Sequence, residues 1–210
     1  MKLYLSSYRM PTPDKFENLV GKKSEDIKIA LLPNSKDYYS ERARGLKLQT
    51  FVDDFDDLGF TSEIVDLRDF NSTQELSNKL STFDAVWACG GNTFCLRYEM
   101  KRSGFDRIIE ELVRNGLVFC GDSAGAIVAG PTLRGSESAD NPEFAEEIIW
   151  EGLSLIPDFI MPHANSDAFK STLQIMRDLH KNDENYLELN DWEAAIYENS
   201  KRTIVSSRPE

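Results

Sequence analysis

Five short apolar runs, at residues 3–5, 27–32, 63–65, 85–88 and 117–120, punctuate the first two thirds of the chain. Between them lie segments whose apolar residues recur every three to four positions. In 40–58 the face is Ala43, Leu46, Phe51, Phe55 and Leu58, with Gly59 as the stop; in 105–114 it is Ile108, Ile109, Leu112 and Val113, closed by Gly116. Strand and helix in alternation predict an α/β fold, a mostly parallel sheet covered by helices on both faces. A further strand is expected at 158–161 and a helix at 168–179. The last thirty residues change character: 186–189, 194–197 and 203–205 are short strand candidates joined by polar turns, which predicts a small antiparallel C-terminal edge. No repeat, low-complexity tract or linker interrupts the 210 residues, so one domain over 1–210 is expected.

In an open α/β sheet, ligands bind beyond the carboxyl ends of the strands. Three post-strand segments stand out there: Gly90-Gly91-Asn92-Thr93, Gly121-Asp122-Ser123-Ala124-Gly125 and Pro162-His163. The second has the G-x-S-x-G pattern of a sharp strand-to-helix elbow that exposes a serine hydroxyl. That spacing arises by chance in roughly one chain in twenty of this length, so its surroundings decide its meaning.

A serine hydroxyl needs an adjacent base, most often histidine, to become a nucleophile. The chain has two histidines. His180, in "RDLHKND", reads as a solvated surface residue, whereas His163 ends a strand on the same rim as Ser123. A carboxylate to orient the histidine is available from the stretch 134–147, which holds Glu137, Asp140, Glu143, Glu146 and Glu147. The backbone N–H of Ala124 can supply one donor to an oxyanion, and the glycine pair Gly90-Gly91 a second. Asp122 lies in the elbow itself, pointing away from the histidine, and is expected to be structural.

Composition narrows the partners. Thirty-six acidic residues against 24 basic ones give a formal net charge of −12, which argues against nucleic acid and anionic membranes as partners. No apolar run is long enough to span a bilayer, and Met1-Lys2-Leu3-Tyr4-Leu5 leads into polar residues, not the apolar core of a signal peptide. A cytoplasmic location is expected, with a homodimer among the oligomeric states left open. Cys89, Cys95 and Cys120 read as buried free thiols, and two distant histidines offer no metal cluster. No cofactor or metal is expected.

The segments "GGNTFCLRYEM", "GDSAGAIVAGPTL" and "GLSLIPDFIMPH", in that order, resemble the peptidase E and cyanophycinase family of serine peptidases, peptidase family S51. The resemblance covers about residues 27–163. It implies a fold similar to class I glutamine amidotransferases, a flavodoxin-like three-layer arrangement. It also implies hydrolysis of short peptides through an acyl-enzyme, with Ser123 as nucleophile, His163 as base, and Gly91 and Ala124 as oxyanion donors. An acid in the loop after the "AGP" helix end makes Asp140 the expected third member, with Glu137 as the alternative. Dipeptidase activity after an N-terminal aspartate is a specificity known in the family. It would need a cation in the pocket, for which Arg134 or Arg97 is the candidate, beside Gly90 and Asn92. The family histidine is commonly followed by an aromatic residue, and here Ala164 and Asn165 follow. A non-catalytic relative binding a small ligand at the same rim is the alternative reading.

Overall fold

The computed structural model describes residues 1–182, 184–199 and 201–208. Its main sheet has seven strands. In chain order these are Lys2–Ser6 (β1), Lys28–Leu32 (β2), Thr61–Ile64 (β3), Ala85–Ala88 (β4) and Val118–Asp122 (β5), followed much later by Glu193–Glu198 (β8) and Lys201–Ser206 (β9). They lie in the order β3-β2-β4-β5-β1-β8-β9. The first five run parallel, and β8 and β9 close the β1 side antiparallel.

Because side chains alternate across a strand, each inner strand feeds two cores. Leu3, Leu5, Ala30, Leu32, Val86 and Phe119 pack on one face. Helices Thr73–Leu80 (α3), Thr93–Arg102 (α4) and Phe105–Arg114 (α5) cover that face through Leu76, Leu96, Met100, Phe105 and Ile109. The opposite face presents Tyr4, Ile29, Leu31, Trp87 and Cys120 to Phe16 of Pro13–Val20 (α1) and to Phe51 and Phe55 of Glu41–Asp57 (α2). All three cysteines are buried and free.

The buried side of α2 differs from the stripe expected. Leu46 is 63% exposed, while Arg44 is buried between Asp37 and Asp66. An arginine with two carboxylates to meet can occupy the inward position that leucine would otherwise take.

Two further departures concern the C-terminal third. Phe159–Met161 (β6) stands outside the main sheet and pairs in parallel with Tyr186–Glu188 (β7). The antiparallel edge is therefore the β8–β9 hairpin, without the 186–189 segment. Helix Lys170–His180 (α7) packs Leu173 and Met176 on β6. His180 is buried there, not solvated: its ring stacks on Phe159 at 3.9 Å, and Nε2 donates to the Arg134 carbonyl at 3.1 Å.

Candidate active site

Gly121 sits in the middle of the sheet, opposite Leu5 on β1 and Ala88 on β4. After it the chain turns sharply. Ser123 takes φ +50° and ψ −111°, and a four-residue helix, Ala124–Ile127 (α6), begins at the next residue. A non-glycine residue in that region is strained, as an elbow that projects its side chain requires. Both flanking glycines are sterically necessary. A Cβ on Gly125 would lie 1.9 Å from the Ala88 carbonyl oxygen, and one on Gly121 would lie 2.5 Å from the Gly125 backbone.

Ser123 is partly buried, and its Oγ lies 3.0 Å from His163 Nε2. His163 follows β6, itself with φ +60°, and its ring is stacked by Phe169 at 4.9 Å between centroids. The aromatic neighbour thus comes from six residues downstream in sequence, not from the adjacent position. On the far side of the imidazole, Nδ1 meets Asp191 Oδ1 at 2.6 Å. Asp191 is held in turn: its N–H donates to Asn165 Oδ1 at 2.8 Å, and its Oδ1 accepts from Ser7 Oγ at 2.9 Å.

The carboxylate at His163 therefore differs from the one expected. Asp140 Oδ2 accepts from the Thr93 N–H at 2.9 Å and the Thr93 hydroxyl at 2.5 Å, anchoring the start of α4. Glu137 accepts from the Gly135 N–H at 2.5 Å within its own loop. Asp191 was missed because it precedes a strand. The β8 strand runs antiparallel to β1, pairing Ala194 with Ser6, so its beginning lies at the rim where the parallel strands end.

The elbow faces the β4 loop. Gly90 N–H donates to Asp122 Oδ1 at 3.1 Å, and the same oxygen accepts from Trp87 Nε1 at 2.8 Å. Asp122 is thus a buried brace between the two loops. Asn92 caps α4, accepting from the N–H groups of Phe94 and Cys95 at 3.0 Å each, and is no part of the cavity lining. The N–H groups of Gly91 and Ala124 are given to no protein acceptor among the described residues.

These loops border a cavity of about 520 Å³ with Ser123, His163, Gly90 and Gly91 in its wall. Tyr8, Tyr38, Tyr39 and Phe51 supply aromatic surface, and its cations are Arg9, Lys36 and Lys47. Arg134 and Arg97, the cations expected, are elsewhere. The exposed Arg134 lies over the Trp150 ring at 4.8 Å, and Arg97 pairs with Asp106 at 3.1 Å. Lys36 is buried, which pulls its pKa below the ordinary lysine value. Burial pushes the Asp140 carboxyl upward, against the hydrogen bonds from Thr93. Among the described residues, no cluster of His, Cys, Asp and Glu could hold a metal ion, and no helix is long and apolar enough to cross a membrane.

Comparison with known proteins gives this geometry a family. The model of peptidase family S51 matches residues 6–205. An uncharacterized peptidase of Listeria innocua is 32% identical over 169 residues, covering 79% of this chain and 76% of that protein. Peptidase E of a Nostoc species is 32% identical over 152 residues, covering 71% of this chain and 56% of that protein. The crystal structure of a Listeria monocytogenes protein named after peptidase E superposes with a TM-score of 0.83 at 23% identity, over 98% of both chains. At that identity the superposition establishes the fold, and the family model establishes the lineage. The chain belongs to peptidase family S51 and is a peptidase, a hydrolase acting on peptide bonds.

Proposed function

We propose that this peptidase is a serine exopeptidase acting on short peptides, with Ser123 as nucleophile, His163 as general base and acid, and Asp191 as the group that orients His163. The observation that carries the reading is the unbroken line Ser123 Oγ, His163 Nε2, His163 Nδ1, Asp191 Oδ1, with contacts of 3.0 and 2.6 Å. With Nδ1–H donated to Asp191, Nε2 is left as the acceptor for the serine proton.

In the first half-reaction Ser123 Oγ bonds to the substrate carbonyl carbon as its proton passes to Nε2. The negative charge on the carbonyl oxygen is met by the N–H groups of Gly91 and Ala124. Collapse breaks the C–N bond, and Nε2 returns the proton to the leaving amine. A water then attacks the acyl-serine, giving its proton to Nε2, and the ester bond breaks as Nε2 returns that proton to Ser123 Oγ, releasing the acid.

Two features of the cavity favour short, charged substrates. Lys47, with Arg9 beside it paired to Asp54 at 3.1 Å, offers positive charge to an acidic side chain, consistent with cleavage after an N-terminal aspartate, in place of Arg134. Asp140 has one oxygen fixed by Thr93, while Oδ1 accepts no hydrogen bond among the described residues, so it suits the α-ammonium of a peptide N-terminus. The test is hydrolysis of a dipeptide panel with Asp or a neutral residue first, each with a free or an acetylated N-terminus. Free Asp-Xaa should be cleaved fastest and Ser123→Ala should abolish turnover. Equal rates on acetylated and free peptides would remove the exopeptidase reading.

A further inference from the structure

Gly90 and Gly91 share one peptide group, and its carbonyl end is held by two side chains. On the carbonyl side, Gly90 O accepts from the Lys36 ammonium and, at 2.9 Å, from the Ser35 hydroxyl. Both donors come from the turn Asn34–Lys36, directly after β2 and beside β4. The same turn closes on the next peptide, since Asn92 N–H donates to Ser35 O at 2.7 Å. A Cβ on Gly91, where φ is +150°, would fall 2.5 Å from that Ser35 oxygen. The side chain of Lys36 is almost wholly buried, 5% of the residue being exposed, and crosses the Phe51 ring at 4.5 Å.

A trans peptide directs its C=O and N–H to opposite sides. With Gly90 O drawn toward Lys36 and Ser35, Gly91 N–H is turned the other way, without a protein acceptor, in the wall it shares with Ser123. We propose that Lys36, assisted by Ser35, is a positioning residue that holds the Gly90–Gly91 peptide in the orientation that makes Gly91 N–H an oxyanion donor. The proposal rests on the reading of Ser123 as nucleophile.

Two physical effects support the assignment. Rotating the peptide by half a turn would strip a buried ammonium of its acceptor, and an unpaired buried cation is expensive. A cation on the carbonyl end also polarises the amide, which strengthens the N–H at its other end as a donor. Lys36 thereby acts on the reaction through the peptide and not by touching substrate.

The experiment compares Lys36→Met, Lys36→Gln and Ser35→Ala with the wild type by dipeptide turnover and by the bimolecular rate at which a fluorophosphonate modifies Ser123. Thermal melting verifies folding. Lys36→Met should lower kcat and the modification rate together, by about 10²-fold, the size of losing one oxyanion donor, with KM within about threefold of wild type. Lys36→Gln, which keeps an N–H for Gly90 O, should recover about tenfold of that loss, and Ser35→Ala should lose about threefold to tenfold in both rates. If Lys36→Met does not fold, the Gln and Ala variants decide. Wild-type modification rates in the folded variants, or a loss confined to KM, would overturn the proposal. A wild type that resists the fluorophosphonate would overturn the serine reading before any Lys36 variant is compared.

Discussion

Ser7 joins two parts of the site: its hydroxyl donates to Asp191 Oδ1 at 2.9 Å and accepts the backbone N–H of His163 at 2.6 Å. The residue just past β1 thus fixes both the acid and the chain position of the histidine. Removing the hydroxyl in Ser7→Ala should lower kcat about tenfold, the loss of a hydrogen bond to a charged group, and should also lower the melting temperature, because the His163 N–H loses its acceptor beside a fully buried residue. Removing the acid is more severe. Asp191→Asn should cost about 10⁴-fold in kcat, because the amide favours the wrong imidazole tautomer. Steady-state kinetics on one dipeptide measure both.

Gly125 and Gly121 are fixed by space and not by conformation. A methyl group on Gly125 would stand 1.9 Å from Ala88 O, so Gly125→Ala must displace either β4 or the elbow. It should destabilise the fold by about 3 kcal/mol and abolish activity in whatever folds. Gly45, whose added Cβ would meet nothing within 4 Å, is the comparison: Gly45→Ala in the middle of α2 should be neutral to stabilising. Thermal denaturation of the two variants distinguishes them.

Asp140 gives a pH-dependent signature. Its carboxyl is pushed up by burial, so the folded state holds the proton more tightly than the unfolded chain. The sign follows: the unfavourable contribution of the charged form is absent below the ordinary aspartate value of about 4 and develops as pH rises through the raised value. Asp140→Asn should therefore gain more in melting temperature at pH 7 than at pH 4. It should also raise KM for free-amine dipeptides while leaving acetylated ones unaffected, since the Thr93 contacts survive in the amide.

The turn carrying Lys36 depends on a buried charge network. Asn34 Nδ2 donates to Asp37 and Asp66 at 2.8 Å each, and Arg44 bridges the same two carboxylates at 2.8 and 2.6 Å. Burial would raise the Asp66 pKa, but hydrogen bonds from Arg68 and Asn34 and the Arg44 charge hold it well below the ordinary range. Its stabilising contribution is present above about pH 4 and lost as pH falls through the depressed value. Asp66→Asn should cost about 3 kcal/mol at pH 7, and urea melts should show that difference shrinking below pH 4.

How far the sequence carried depends on direction along the chain. The parallel strands, the elbow at Ser123 and the histidine at 163 were legible because each lies within or just after an apolar run, where the open-sheet rule directs attention. Asp191 was not, since it comes before β8, and only the antiparallel pairing of Ala194 with Ser6 brings it to that rim. Asp140 was a reasonable expectation from its loop, but the start of α4 takes its carboxylate through Thr93. Arg134 failed as the pocket cation because its partner, Trp150, is an aromatic 16 residues away that periodicity cannot pair with it. The cations in the cavity wall, Arg9, Lys36 and Lys47, come from the β1 and β2 exits and from α2, segments without a recognisable motif.

The line from Ser123 through His163 to Asp191 is tested most directly by the rate at which a fluorophosphonate modifies the protein, with the modified residue located by mass spectrometry. Modification should fall on Ser123 alone, vanish in Ser123→Ala, slow by about 10³-fold or more in Asp191→Asn, and stay near wild type in Asp140→Asn. Slow modification in Asp140→Asn with a wild-type rate in Asp191→Asn would contradict it, as would a modified residue other than Ser123.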